Sequence, residues 1–158
     1  MSGFTHLHCH SEYSLLDGAI RLKDLCARAV DFGFSSAAVK DHGNLFGSLP
    51  FYLEAKKHGI KPILGSEIYV ADDMADRENK RRFHLILLAQ DLLGYHNLVK
   101  IVSAGFLDGF YYKPKVNKNF VFQQFANKRC HRLDCAQQPP SSPTQPARSA
   151  GQQHAARQ

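Results

Sequence analysis

The chain has 158 residues, 44% of them hydrophobic, and contains no apolar run long enough to cross a membrane. Its net charge of +6 is uneven: residues 1–117 carry 14 Lys and Arg against 13 Asp and Glu, and residues 118–158 carry 6 against 1. Residues 1–117 are therefore nearly neutral, and their charge gives no support for nucleic-acid binding. The N-terminus lacks signal-peptide features and the four cysteines form no disulfide framework, so we expect a cytoplasmic protein without membrane contact.

Short apolar segments alternate with segments of helical periodicity in the first two thirds of the chain. The segment "FTHLHCH" has the alternating pattern of a strand, and "LKDLCARAVDFG" has apolar residues at helical spacing with Gly33 as a stop. "FHLILLAQ" is typical of a buried strand, and Asp91 is a suitable N-cap for the last helix. The predicted strands span 4–9, 35–41, 61–71 and 83–90, and the predicted helices span 22–33, 49–58 and 91–106. Gly59 follows the second helix as its stop.

The order β-α-β-α-β-β-α predicts an α/β fold with parallel strands, either doubly wound or barrel-shaped. In such folds the chemistry lies at the carboxyl ends of the strands. The segments "HCH" and "DHGN" end the first two predicted strands and agree with this rule. His84 begins the fourth strand and fits it less well.

The composition changes after residue 117, where eight of the nine glutamines and four of the seven prolines lie. The segment "QQPPSSPTQPARSAGQQ" is too polar to bury enough surface to offset the entropy of ordering itself. We therefore predict that residues 1–117 form the folded part and that residues 118–158 form an aberrant, disordered tail. Disorder is predicted most firmly for residues 136–158.

Several residues with metal-binding side chains lie near the predicted strand ends. His8 and His10 are two positions apart, so a strand would place both imidazoles on one face, about 7 Å apart. Asp17 follows after a short loop, and His42 and Glu67 come from later strands. Imidazole mixed with carboxylate suits Zn, Mn or Fe, and several carboxylates favour a multinuclear cluster that activates water and holds phosphate oxygens.

Other interpretations of these side chains stay open on residue types alone. An isolated His-x-His pair is weak evidence for metal, and His58 at a helix end is more typical of a cap than of a ligand. Cys130 and Cys135 lack the spacing of a zinc motif. The sequence has no GxGxxG or Walker loop, and no glycine-flanked serine that would indicate a serine hydrolase.

Five segments together resemble one family: "HLHCHSEYSLLDGAIRLKDL", "DHGNLFGSLPFY", "GIKPILGSEIYVA", "FHLILLAQDLLGYHNLVKIVS" and "GFYYKP". The resemblance is to the polymerase-and-histidinol-phosphatase (PHP) domain at the N-terminus of the bacterial replicative DNA polymerase III alpha subunit. It covers residues 4 to about 117. It implies an α/β fold that is a partial, distorted PHP-type β/α barrel, with about four of the family's seven strands.

The resemblance also implies a metal site and partners. PHP domains hold up to three divalent ions, often zinc or manganese. Members with an intact site can act as metal-dependent 3′–5′ exonucleases, and others serve as a docking platform for a proofreading subunit. The implied partners are DNA, through the parent polymerase, and other replicase subunits such as a proofreading exonuclease. The matching metal ligands are His8, His10, Asp17, His42, Glu67 and His84.

The sequence departs from the family pattern in three ways. Lys40 precedes "DHG", where the family usually has a small hydroxyl residue, and a lysine at the mouth of the site could repel metal or contact phosphate. The family's later ligands and the polymerase core have no counterpart, and the similarity ends near residue 117. We therefore expect an N-terminal fragment with a partial metal site and with weak or no phosphoesterase activity. The alternatives are a stand-alone phosphatase for monoesters and a non-catalytic docking module.

Overall fold

The computed structural model describes residues 4–15, 17–78, 81–125 and 130–133. These residues form four helices and six strands, none of the helices being long and apolar enough to cross a membrane. The elements in chain order are α1 (Leu22–Asp31), β1 (Ser36–His42), α2 (Ser48–Lys57), β2 (Lys61–Ala71), β3 (Phe83–Ala89), α3 (Leu92–Leu107), β4 (Phe110–Tyr111), β5 (Lys113–Asn117), α4 (Lys118–Phe125) and β6 (Cys130–Leu133).

Helices α1 to α3 and strands β1 to β3 form within two residues of their predicted bounds. The side chain of Asp91 caps α3, since it accepts a hydrogen bond of 2.8 Å from the Gly94 N–H. Gly33 and Gly59 follow α1 and α2 with φ of 70° and 69°. This left-handed conformation favours glycine and commonly ends helices, so the sequence signals acted as predicted.

The strand predicted at residues 4–9 does not form. This segment lies beside β1, but one backbone hydrogen bond joins the two among the described residues, from the Lys40 N–H to the Cys9 carbonyl at 3.0 Å. The hydroxyls of Thr5 and Ser36 make a second contact at 2.6 Å. A strand requires a repeated ladder of backbone bonds, which one bond does not supply.

The strands form an open sheet with β2 at its centre. One edge of β2 pairs in parallel with β1 and then with β5, and the other edge pairs antiparallel with β3. The prediction of parallel strands is therefore wrong for β3. The reason is that a loop joins β2 to β3, whereas a parallel neighbour would need a longer crossover connection.

Apolar side chains gather in two clusters that hold the helices on the sheet. The first joins α1 and α2 to β1 around Cys26 and Phe51, both 0% exposed. The second joins α3 and α4 to β2, β3 and β5 around Leu98 and Ile101. Burial of such apolar surface contributes roughly 25 cal/mol per Å² and fixes the strands that carry the polar residues of the site.

Helix α4 lies in the segment that composition predicted to be disordered. Val121 of α4 is buried in the second cluster, and the Asn97 side chain donates a hydrogen bond of 3.2 Å to the Gln124 carbonyl. The predicted disorder from residue 118 is therefore wrong for Lys118–Phe125, and β6 pairs with β3. Residues 134–158, with the Gln- and Pro-rich segment, lie outside the described residues.

Candidate metal centre

The six predicted ligands converge on one cleft with a volume of about 770 Å³. The lining also includes the polar side chains of Ser14 and Lys113, which the sequence analysis did not single out. The cleft is lined by His8, His10, Tyr13, Ser14, Leu15, Asp17, His42, Asn44, Phe46, Glu67, Tyr69, His84 and Lys113.

The strand register brings three of the ligands together. His42 ends β1 and is paired with Glu67 in the parallel register of β1 and β2. Because β3 is antiparallel to β2, the first residues of β3 lie beside the last residues of β2, with His84 opposite Tyr69. Because β3 runs opposite to β2, His84 near the start of β3 lies close to Glu67 in β2 and His42 at the end of β1.

The segment between His10 and α1 is held against β1 by hydrogen bonds that the sequence analysis missed. The backbone N–H and hydroxyl of Ser11 both donate to the buried Asp41 carboxylate, at 2.7 and 2.8 Å. The Ser14 hydroxyl accepts a bond of 2.8 Å from the His42 N–H. These contacts direct Asp17 toward the histidines. The only sequence signal for them was the position of Asp41 beside a ligand, on the opposite strand face.

The ligand atoms form three groups, in each of which all atoms lie within 4.8 Å of one another. Three of the six residues belong to two groups each, so the groups are connected. We call the groups triad 1 (His8, His10 and Glu67), triad 2 (His10, Asp17 and His42) and triad 3 (His42, Glu67 and His84).

The spacing of the ligand atoms differs among the triads. In triad 3, Glu67 Oε1 lies 3.1 Å from His42 Nε2 and 2.7 Å from His84 Nδ1, and the two histidine nitrogens are 3.2 Å apart. In triad 1, Glu67 Oε2 lies 3.3 Å from His8 Nε2 and 3.1 Å from His10 Nε2. Ligand atoms around a tetrahedral zinc ion lie about 3.3 Å apart, given bonds of about 2.0–2.1 Å. The separations of 3.1–3.3 Å in triads 1 and 3 approach this spacing, and the separation of Glu67 Oε1 from His84 Nδ1, at 2.7 Å, is shorter.

Triad 2 has the spacing of hydrogen bonds rather than of metal ligands. Asp17 Oδ2 lies 2.6 Å from His10 Nδ1 and 2.5 Å from His42 Nδ1. The Asp17 carboxylate is hydrogen-bonded to His10 and in close contact with His42, and both contacts fix the orientation of the imidazoles. Asp17 is therefore best described as a partner of two histidines.

Lys40 enters the cluster from the interior. Its side chain is 0% exposed, its Nζ lies 2.6 Å from His10 Nε2, and it also contacts Glu67 Oε2. The sequence placed this lysine at the mouth of the site, where it could repel metal or contact phosphate. That placement is wrong, because the fully buried ammonium lies within triad 1.

The surroundings favour ionised carboxylates and a neutral exposed imidazole. Burial raises the pKa of Glu67, but the contacts that its carboxylate makes with His10, His42, His84 and Lys40 outweigh burial and hold the pKa far below its usual range. Burial also raises the pKa of Asp17, but the hydrogen bond from His10 and the charge on His42 lower it by more, so that the pKa lies below its usual value. Burial and the charge on Lys40 lower the pKa of His8. Metal ligands need these deprotonated states.

The donor set of triad 3 fits a divalent metal ion. It offers two imidazole nitrogens and one carboxylate oxygen, which is a common set for zinc and is compatible with manganese. Its three residues line the cleft, where water or a substrate has access.

Comparison with known proteins agrees with this description. The family model of the PHP domain matches residues 6–141, so the match continues past residue 117. The chain is 50% identical over 120 residues to the DNA polymerase III subunit alpha of Helicobacter pylori strain 26695, covering 75% of this chain and 10% of that protein. It is also 50% identical over 123 residues to the subunit of Borreliella burgdorferi, covering 75% and 11%.

The chain thus spans about a tenth of the length of the curated relatives it matches. Among solved structures, one described as a metal-dependent phosphoesterase from Bifidobacterium adolescentis aligns with a TM-score of 0.45 and 20% identity, covering 65% of this chain and 34% of that one. The family match takes in most of the sequence and all six predicted ligands. The chain therefore belongs to the PHP domain family.

Proposed function

We propose that this chain is the N-terminal PHP part of a replicative DNA polymerase III alpha subunit, with a cleft that hydrolyses phosphodiesters as a metal-dependent 3′–5′ exonuclease. The observation that carries the proposal is the convergence of His42, Glu67 and His84 in an open cleft. Polymerisation belongs to the proposed parent protein. The proposed partners are DNA and other replicase subunits such as a proofreading exonuclease, and the proposed location is the cytoplasm.

The residues around triad 3 supply positions and charge for this reaction. When bound there, a zinc or manganese ion would supply Lewis-acid activation of water and neutralisation of phosphate oxygens. Asp17 Oδ2 lies 2.5 Å from His42 Nδ1 and orients the ring, and His42 Nε2 lies 3.1 Å from Glu67 Oε1 in triad 3. Lys113 lines the same cleft, with its Nζ 5.5 Å from the centre of the Tyr69 ring. Its positive charge supports binding of a phosphate group.

A non-catalytic docking module is the second candidate, and one observation favours it. The Lys40 ammonium fills the space between the ligands of triad 1. Two-metal phosphoesterases hold both the attacking and the leaving oxygen between ions, so losing one ion position weakens catalysis. A site reduced in this way suits a domain retained for binding another subunit.

The test is a nuclease assay of the whole chain loaded with Zn²⁺ or Mn²⁺. The substrates are 3′-labelled single-stranded DNA and, separately, p-nitrophenyl phosphate. We expect nucleotide release from DNA, a loss of roughly 100-fold or more in His84→Ala, since even partners of metal ligands are worth about 10–100-fold, and no change in His58→Ala. His58 is a matched control because it pairs with Glu54 on α2, away from the cleft.

The other outcomes separate the alternatives. Hydrolysis of p-nitrophenyl phosphate without DNA cleavage would support a stand-alone monoester phosphatase. A folded, metal-loaded chain that hydrolyses neither substrate would overturn the catalytic proposal and favour the docking module.

A further inference from the structure

The position of Lys40 has a consequence for the number of metal ions. Its Nζ lies within 2.6 Å of His10 Nε2 and also contacts Glu67 Oε2, and these two atoms are themselves 3.1 Å apart. The ammonium is therefore seated between two of the three ligand atoms of triad 1. A metal ion bound by these atoms would have to occupy nearly the same point.

The hydrogen-bond chemistry of Lys40 uses the lone pair that such an ion would need. An ammonium nitrogen carries donors and no acceptor, so the His10 Nε2 atom that it contacts must accept. A neutral imidazole that accepts at Nε2 carries its proton at Nδ1. The Nδ1 atom of His10 lies 2.6 Å from Asp17 Oδ2 and donates to it. The direction of donation therefore runs from Lys40 through His10 to Asp17.

This arrangement also removes His10 from triad 2. With its Nδ1 proton directed at Asp17, His10 has no free lone pair for a second ion. Asp17 Oδ2 also lies 2.5 Å from His42 Nδ1. Triad 2 is therefore a hydrogen-bonded group that orients His10 and His42.

Lys40 is firmly placed. Its side chain is 0% exposed, so the ammonium cannot turn out into solvent without moving the strand. Its neighbour in the β1–β2 register is Gly65, where an added Cβ would lie 2.6 Å from the Leu87 carbonyl oxygen and 3.3 Å from Lys40 Cβ. The backbone is thus closely packed on the side of the lysine that faces β2.

We propose that the Lys40 ammonium takes the place of one metal ion in triad 1, so that this chain binds a single divalent ion, in triad 3. The inference rests on the proposed function only in taking the cleft to bind metal. The single positive charge of the ammonium then stands beside Glu67 in place of a divalent ion. The carboxylate of Glu67 is still neutralised, but triad 1 no longer binds metal.

The experiment measures zinc content of the whole chain by mass spectrometry after loading and desalting. We expect about one ion per chain for the native protein, about two for Lys40→Thr and about one for Lys115→Thr, because removing the ammonium frees the ligand atoms of triad 1. Lys115 is a matched control, since it is also a strand lysine, is 1% exposed and lies outside the triads. Circular dichroism on the same samples reports folding.

Two histidine variants test the inference independently of how Lys40→Thr folds. His8 belongs to triad 1 alone and its side chain is 52% exposed, so His8→Ala should fold and keep the native zinc content. His84→Ala, which alters triad 3 alone, should lose the native ion. In the Lys40→Thr background, His8→Ala should remove the ion that was gained.

Four results would overturn the inference. The first is a native chain that binds two ions or none, and the second is loss of zinc from His8→Ala in the native background. The third is retention of zinc by His84→Ala, and the fourth is a folded Lys40→Thr chain that gains no zinc. The result stays distinct from that of the nuclease assay. One ion held by triad 3 in a chain without nuclease activity would support this inference and contradict the proposed function.

Discussion

Two lysines, Lys40 in β1 and Lys115 in β5, are buried, and their ammonium groups are stabilised by different kinds of partner. Both are at most 1% exposed. The Nζ of Lys115 contacts the backbone carbonyl of Asp76, which is a neutral partner. The Nζ of Lys40 contacts His10 and the Glu67 carboxylate. A buried ammonium needs hydrogen-bond acceptors, and a carboxylate adds charge compensation that a carbonyl does not.

A buried lysine therefore only holds the backbone in place at Lys115, whereas at Lys40 it alters the metal-binding chemistry of the site. The partner of Lys115 is the backbone carbonyl of Asp76, which belongs to none of the three triads. Around Lys40 the partners are the metal ligands, so satisfying the ammonium uses atoms that would otherwise hold an ion. The following changes test this contrast, from the largest expected effect to the smallest.

Glu67→Gln should have the largest effect on stability. It leaves the Lys40 ammonium buried without its carboxylate, and breaking a buried pair on one side destabilises by about 3–5 kcal/mol. The measurement is the free energy of unfolding by urea, with a chelator present so that metal does not contribute. The same variant should lose zinc, because Glu67 belongs to triads 1 and 3.

The matched control is the double variant Lys40→Met/Glu67→Gln. Removing both charges should recover part of the stability lost in Glu67→Gln alone, because no unpaired ammonium is left. Equal destabilisation in the single and double variants would contradict a coupled Lys40–Glu67 pair.

Acid should destabilise the metal-free chain through the carboxylates of the site. The pKa of Glu67 and that of Asp17 are lowered in the folded chain. Each therefore stabilises the fold at pH values above its ordinary unfolded pKa of about 3.9–4.3, and this stabilisation is lost as the pH falls below that range. The slope approaches about 1.4 kcal/mol per pH unit for the buried Glu67 and is smaller for Asp17, whose side chain is 38% exposed and screened by solvent.

The two lysine regions should respond to acid differently. Urea unfolding between pH 6 and pH 3, chosen to span the carboxylate range, should show a smaller loss of stability in Glu67→Gln than in the native chain. Lys115→Met should lose as much as the native chain, because its partner is a carbonyl that does not titrate. Identical pH profiles for all three chains would refute the assignment to Glu67.

Lys115→Met should have the smallest effect. The Asp76 carbonyl loses a hydrogen bond to a charged group, worth about 1.5–3 kcal/mol, but the chain no longer buries that charge. We expect a net loss of about 1 kcal/mol or less by urea unfolding, with zinc content unchanged. A loss as large as that of Glu67→Gln would mean that the two lysines are not energetically distinct.

Much of the fold and the ligand set was predictable because it depends on local pattern. Helical spacing, the cap at Asp91 and the stops at Gly33 and Gly59 gave α1 to α3 within two residues. The six ligand positions came from motif resemblance, and the structure brings all six to one cleft. Composition misled at α4, because the average over a polar tail concealed Val121, which is buried in the second apolar cluster.

The sequence by itself determined the local elements and the residue types of the site, since periodicity, caps and motif spacing act over a few neighbouring positions. Only the tertiary structure decided which atoms meet. Strand direction is fixed by pairing with distant segments, and it placed His84 beside Glu67 although His84 begins β3. In the same way, the β1–β2 register seated the Lys40 ammonium among the ligands of triad 1, through a contact between residues 27 positions apart.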